Sequence, residues 1–293
     1  MRHLPLLKFF SIPAAIALLF TSTSFQAAEP TKADIVVATV DGHELKLDLY
    51  LPKDVKNPPL VVFIHGGSWR ANSYKKCSTP WLTDYGFAVA SISYRFSQMA
   101  VFPAQIHDCK AAVRWLRAHA GEFGYDATKI GVAGSSAGGH LALMLGTTGG
   151  VAEYEGTVGG NLDQSSAVQA VVDYYGPTDF ILRSQNQPAK TENEDSPVRQ
   201  LIGGPVKENQ ERARFASPVF QVGKGDAPLL IIHGDKDTTV YLDQSQRIEK
   251  AYQEASLEVA LQVVPGGKHG GDAHFTPELR EKVAQFFKKH LTP

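Results

Sequence analysis

The chain has 293 residues, 43% of them hydrophobic and 20% charged, with 29 basic against 30 acidic side chains. That length and balance suit one large globular domain and exclude a fibrous or disordered chain, since 26 Gly and 17 Pro are spread along it rather than clustered. No basic stripe of the kind that nucleic-acid binding requires is present.

The first 28 residues differ from the rest. Arg2 and Lys8 precede an apolar run over residues 12–20, and small or polar residues lead from there to Ala27 and Ala28. This order predicts a secretory signal peptide over residues 1–28 and a catalytic domain over 29–293, exported to the periplasm or the exterior. An uncleaved N-terminal anchor is the alternative. The leader lacks the cysteine of a lipoprotein signal, and no later stretch reaches the length of a membrane span, so no stable membrane insertion is expected once the leader is removed. Cys77 and Cys109 are the only cysteines. In an exported chain they are a candidate disulfide, with two free thiols as the alternative.

Residues 35–51 alternate apolar and polar around Asp41-Gly42, a pair suited to a two-residue turn, and so predict an antiparallel hairpin. Short continuous apolar runs follow at 60–64, 88–92, 130–133, 170–174, 229–232 and 259–264. Unbroken hydrophobicity over so few residues predicts strands buried on both faces, as in a parallel sheet. Helical spacing falls between them, at 104–120, 138–145, 243–254 and 277–291. The alternation gives an α/β class with a mostly parallel, doubly wound sheet after the hairpin. Residues 179–225 break the pattern: they are polar and interrupted by Pro188, Pro197, Pro205 and Pro218, which predicts a lid-like or a plain surface insertion.

Four features carry chemistry. Gly134-Ser135-Ser136-Ala137-Gly138 stands between a predicted strand and a predicted helix, the setting in which a GxSxG serine becomes an exposed nucleophile. Ser135 would need glycine at position 133, where Ala133 stands. His65-Gly66-Gly67-Ser68-Trp69 follows the 60–64 strand and fits an oxyanion loop, with N–H donors expected from Gly67, Ser68 and Ala137. Trp69 is a candidate substrate contact, and His65 is expected to brace the loop. Past the 229–232 strand, Asp237 is the expected acid and Asp235 its fallback. After the last strand, His269 is the expected base ahead of His274, which completes the order Ser, Asp, His. His107, His119 and His140 have no motif partner and are expected to be structural or solvated.

With these motifs the chain resembles the esterase/lipase branch of the α/β-hydrolases that includes bacterial feruloyl and acetyl-xylan esterases and is related to hormone-sensitive lipase. Ser93-Tyr94-Arg95, Phe102-Pro103-Ala104-Gln105, Asp108, Trp115-Leu116-Arg117, Gly176-Pro177-Thr178-Asp179 and Ala216-Ser217-Pro218-Val219 extend the likeness over most of the mature chain. Ser68 departs from it, standing where the usual HGGG loop has its third glycine. The resemblance implies an α/β-hydrolase fold, a Ser136, Asp237, His269 triad and no metal or organic cofactor. It also implies a small-molecule or polysaccharide-linked ester substrate bearing short acyl or hydroxycinnamoyl groups. A prolyl-oligopeptidase-type peptidase, an arylformamidase and a catalytically silent binding module are the rival readings; the first usually needs a propeller domain and the last usually lacks a triad member.

Overall fold

The computed structural model describes Met1 and residues 29–292, so the body of the expected leader lies outside the described residues. Among the described residues no helix is long and apolar enough to cross a membrane. Eight strands form one sheet: β1 (Lys32–Val40), β2 (His43–Tyr50), β3 (Pro59–Ile64), β4 (Ala88–Ile92), β5 (Asp126–Ser135), β6 (Ala170–Tyr174), β7 (Leu229–Gly234) and β8 (Val259–Val264). Their order is β1-β2-β4-β3-β5-β6-β7-β8. β1 and β2 form the expected hairpin, turning at Asp41 and Gly42 with φ of 50° and 80°, the left-handed pair of a type I′ turn. β2 joins β4 antiparallel, and every later pairing is parallel.

Strand periodicity divides the core in two. Leu60, Val62 and Ile64 of β3 point into one apolar cluster, and Val61 and Phe63 into the other. The first is covered by the helices Ala104–Ala118, Ala137–Thr147 and Asp243–Glu254, and the second by Pro277–Leu291 and the 3-10 turn Pro80–Tyr85. Burial on both faces explains why these strands read as unbroken apolar runs. The chain leaves β3 for β4 on one side, then crosses back to β5 on the other. This reversal opens a crevice beyond the carboxyl ends of β3 and β5, where open sheets of this kind bind ligands.

Three expectations need correction or refinement. Cys77 and Cys109 are both free thiols: Cys109 is buried in the cluster on one face of the sheet, and Cys77 packs against the cluster on the other, so the sheet lies between them. The helix expected over 104–120 ends at Ala118, where the His119 ring also donates to the Trp115 carbonyl, and a separate short helix, Ala120–Phe123, follows. Residues 179–225 fold into short helices, Phe180–Asn186, Pro188–Thr191, Pro197–Ile202 and Gln210–Phe215. Pro188 and Pro197 occupy their first positions, where a missing N–H costs nothing, so they start helices rather than break them.

Candidate active site

Ser136 stands between β5 and the helix Ala137–Thr147 with φ 54° and ψ −117°, a strained backbone conformation for a residue bearing a Cβ. Its N–H donates to the Tyr174 carbonyl at 2.8 Å and its carbonyl accepts from His140 N at 3.0 Å, so the turn is pinned on both sides. The flanking glycines are steric requirements. A Cβ on Gly134 would lie 2.1 Å from the Gly138 carbonyl oxygen, and one on Gly138 would lie 2.0 Å from that of Ile64.

Asp237 lies on the loop after β7 and His269 on the loop after β8. His269 Nδ1 donates to Asp237 Oδ2 at 2.6 Å. That bond leaves Nε2 as an acceptor for the Ser136 hydroxyl, 2.8 Å away. Asp237 Oδ1 accepts from the N–H groups of Thr239 (2.7 Å) and Val240 (3.0 Å). Burial pushes the Asp237 carboxyl up, but hydrogen bonds from His233 and His269, the His269 charge and the Val240 N–H outweigh it and hold the carboxyl far below the usual range.

The glycine-rich loop after β3 meets the serine turn closely. A Cβ on Gly66 would lie 2.8 Å from the Ser135 carbonyl oxygen and 3.3 Å from Ser136 Cβ. Gly67 has φ 114°, and a Cβ there would lie 2.1 Å from the Ala71 carbonyl oxygen; Ser68 and Trp69 follow at φ 58° each. His65 braces this loop: Nδ1 donates to the Gly66 carbonyl at 2.7 Å and the ring stacks on Tyr94, whose hydroxyl donates to the His65 carbonyl at 3.0 Å.

Trp69 is not placed to touch substrate. It is 3% exposed and packs edge-on against Phe180 and His140. Its indole N–H donates to His140 Nδ1 at 3.2 Å, while His140 Nε2 donates to the Ala216 carbonyl at 2.6 Å. Burial pushes the His140 imidazole down to about 4, against the pull of the Ala216 hydrogen bond. A histidine without a motif thus ties the glycine-rich loop to the serine helix. Asp235 stands apart from the triad, its carboxylate accepting from Gly266 N at 2.7 Å. His274 is fully buried, with neither ring nitrogen hydrogen-bonded, and packs edge-on against Tyr175.

Two contributors escaped the motifs. His233, fully buried at the end of β7, places Nε2 2.9 Å from the Val240 carbonyl and 3.2 Å from Asp237 Oδ2, and its Nδ1 accepts from the Ser245 hydroxyl at 2.6 Å. A polar ring inside an otherwise apolar strand was the signal. Tyr175 packs edge-on against His269, with ring centroids 4.8 Å apart. Together Ser136, His269 and Asp237 form a relay able to remove a hydroxyl proton and return it to a leaving group.

The family model described as BD-FAE matches residues 47–252, which takes in β3 to β7 and the serine turn. The chain belongs to the BD-FAE family. It is similar to the esterase LipC of Mycobacterium tuberculosis, 33% identical over 77% of this chain and 57% of LipC. The ethyl acetate hydrolase of Pseudomonas putida is 27% identical over 81% of this chain and 74% of its own length. The chain spans little more than half the length of LipC. Among solved structures, a truncated carbohydrate esterase from gut microbiota superposes with a TM-score of 0.81 at 33% identity, covering 89% of this chain and 96% of that one. A bifunctional GH43-CE protein of Bacteroides eggerthii gives 0.78 at 36% identity, covering 88% of this chain and 35% of that one.

Proposed function

We propose that this BD-FAE member is an exported serine carboxylesterase that removes short acyl or hydroxycinnamoyl groups from plant polysaccharide. The observation that carries the reading is the hydrogen-bonded run from Ser136 Oγ through His269 to Asp237 at the carboxyl edge of the sheet. Ser136 Oγ bonds to the ester carbonyl carbon as its proton passes to His269 Nε2. The N–H groups of Gly67, Ser68 and Ala137 receive the oxyanion. His269 then gives the proton to the departing alcohol oxygen, leaving an acyl-serine. Water repeats the sequence, freeing the acid and restoring Ser136. Asp237 keeps Nδ1–H in place throughout. The carbohydrate substrate is supported by the gut-microbiota esterase that superposes on this chain, and export by the charge and apolar pattern of residues 1–28.

The test is hydrolysis of p-nitrophenyl acetate and longer-chain esters by the chain from residue 29, with Ser136→Ala as control. The acetate is expected to react fastest and Ser136→Ala to abolish turnover with the fold intact. Undiminished turnover in that variant overturns the nucleophile, and cleavage of peptide amides without ester hydrolysis overturns the esterase reading. Incubation with acetylated and feruloylated xylan fragments identifies the acid released. The N-terminal sequence of exported protein is expected to begin just past Ala28.

A further inference from the structure

The insertion over residues 179–225 reaches the loop that carries Asp237 through two buried polar side chains. Arg183 lies on the helix Phe180–Asn186 and Gln187 follows its last turn; each is 5% exposed. Arg183 Nη2 donates to the Thr239 carbonyl at 2.9 Å and Nη1 to Gln187 Oε1 at 3.1 Å. Gln187 Nε2 lies 3.3 Å from the carbonyls of both Thr238 and Thr239, and its Oε1 also accepts from Tyr241 N at 3.4 Å. Two N–H groups of this same stretch, those of Thr239 and Val240, hold Asp237 Oδ1. The loop is therefore gripped from behind by the insertion while its front grips the carboxylate.

Arg183 is an expensive way to make such a grip. Among the described residues no carboxylate lies within ion-pair distance of it, and its Nε has no hydrogen-bond partner. Burying a guanidinium on neutral carbonyls costs stability that a neutral donor would spare. Burial pushes it down to about 10, while Asp237, Asp243 and Tyr241 pull it up, so it is charged at neutral pH. Held there, it fixes the loop whose N–H groups hold Asp237.

We infer that Arg183 and Gln187 are positioning residues for the Asp237–His269 pair, which makes the insertion part of the catalytic apparatus. This rests on the esterase reading above. The groups that face Asp237 or Arg183 are His233 at the end of β7, Tyr175 after β6, His269 and His274 after β8, and Tyr241 and Asp243 beyond the acid loop. Only Arg183 among them is a permanent cation.

The experiment measures kcat and KM for p-nitrophenyl acetate with wild type, Arg183→Met, Arg183→Lys and Gln187→Ala, with the active fraction counted by a fluorophosphonate that labels the nucleophile. Arg183→Met is expected to lower kcat per labelled site by about 10- to 100-fold, the scale of a misplaced catalytic group, with KM within about threefold. Arg183→Lys restores part of kcat, and Gln187→Ala lowers kcat about tenfold with KM likewise little changed. A purely structural role would lower the labelled fraction and leave kcat per labelled site at its wild-type value. Folded Arg183→Met with kcat per labelled site within twofold of wild type overturns the inference. If that variant does not fold, Gln187→Ala decides alone, and kcat within twofold overturns it. An inactive wild type, or an active Ser136→Ala, overturns the esterase reading itself, so the two failures are distinguishable.

Discussion

Replacing Asp237 by Asn changes one atom and forces a choice between two poor arrangements. With the amide oxygen kept on Thr239 and Val240, the NH2 group faces His269 Nδ1 and also His233 Nε2–H, itself a donor to the Val240 carbonyl. With the amide reversed, the oxygen faces both histidines but the NH2 group confronts two backbone N–H donors. Each donor left facing a donor in a buried site costs about 1–3 kcal/mol, so the reversed amide loses roughly one such unit more. The first arrangement prevails, and there Asn donates to Nδ1. The imidazole must then carry its proton on Nε2, where it can no longer accept from Ser136. The expected loss in kcat is about 10⁴-fold, the size such a tautomer reversal produces in serine hydrolases, which corresponds to about 5 kcal/mol in the barrier. KM should stay within a few-fold, since the acid does not touch the ester. The assay is p-nitrophenyl acetate hydrolysis between pH 6 and 9, with melting temperature as the control for folding. A folded Asp237→Asn enzyme retaining more than a tenth of wild-type kcat would refute the assignment of Nδ1–H to this carboxylate.

Gly138→Ala should be damaging in a different way: its Cβ meets the Ile64 and His65 carbonyls at 2.0 and 2.6 Å, so the serine helix must back away from the glycine-rich loop. About 1–3 kcal/mol of stability and about 100-fold in kcat are expected to go, read by melting temperature and turnover; wild-type values of both would show that the close approach is not required. Asp173 gives a pH prediction. It is buried, with Oδ1 accepting from Gly176 N at 2.9 Å and Oδ2 without a partner; burial pushes it up to about 7, against the pull of His233 and the Gly176 hydrogen bond. A carboxyl raised on folding contributes stability below its unfolded value of 3.8 and loses that contribution as pH climbs toward 7. Buried His65 and His140, both pushed down to about 4, act oppositely: their contribution is full above about 6.5 and lost as pH falls toward 4. Asp173→Asn should therefore gain in melting temperature relative to wild type between pH 5 and pH 8, and a constant difference would contradict this.

The fold was readable in the sequence because β3 to β7 are buried on both faces and show as unbroken apolar runs, each ending where a polar motif begins. The order Ser136, Asp237, His269 likewise selected the three side chains that the structure brings together. What was unreadable depends on which way a side chain faces. Trp69 beside a glycine-rich loop could turn to solvent or to the core, and only the positive φ values there send it inward. Cys77 and Cys109 look like a pair until the sheet is drawn between them. Arg183 and Gln187 have no motif, because they act through carbonyls of a loop more than 50 positions further along the chain.

β8 is the last strand of the sheet, hydrogen-bonded to β7 alone, and only Val264 of its six residues is buried. The histidine of the relay hangs from this border, whereas the serine hangs from the interior strand β5. Strands at a border open at a smaller free-energy cost than those at the centre. Warming should thus detach the base from an otherwise intact molecule: function is lost by fraying at one edge, while the nucleophile and its strained turn remain assembled on a core that has yet to melt.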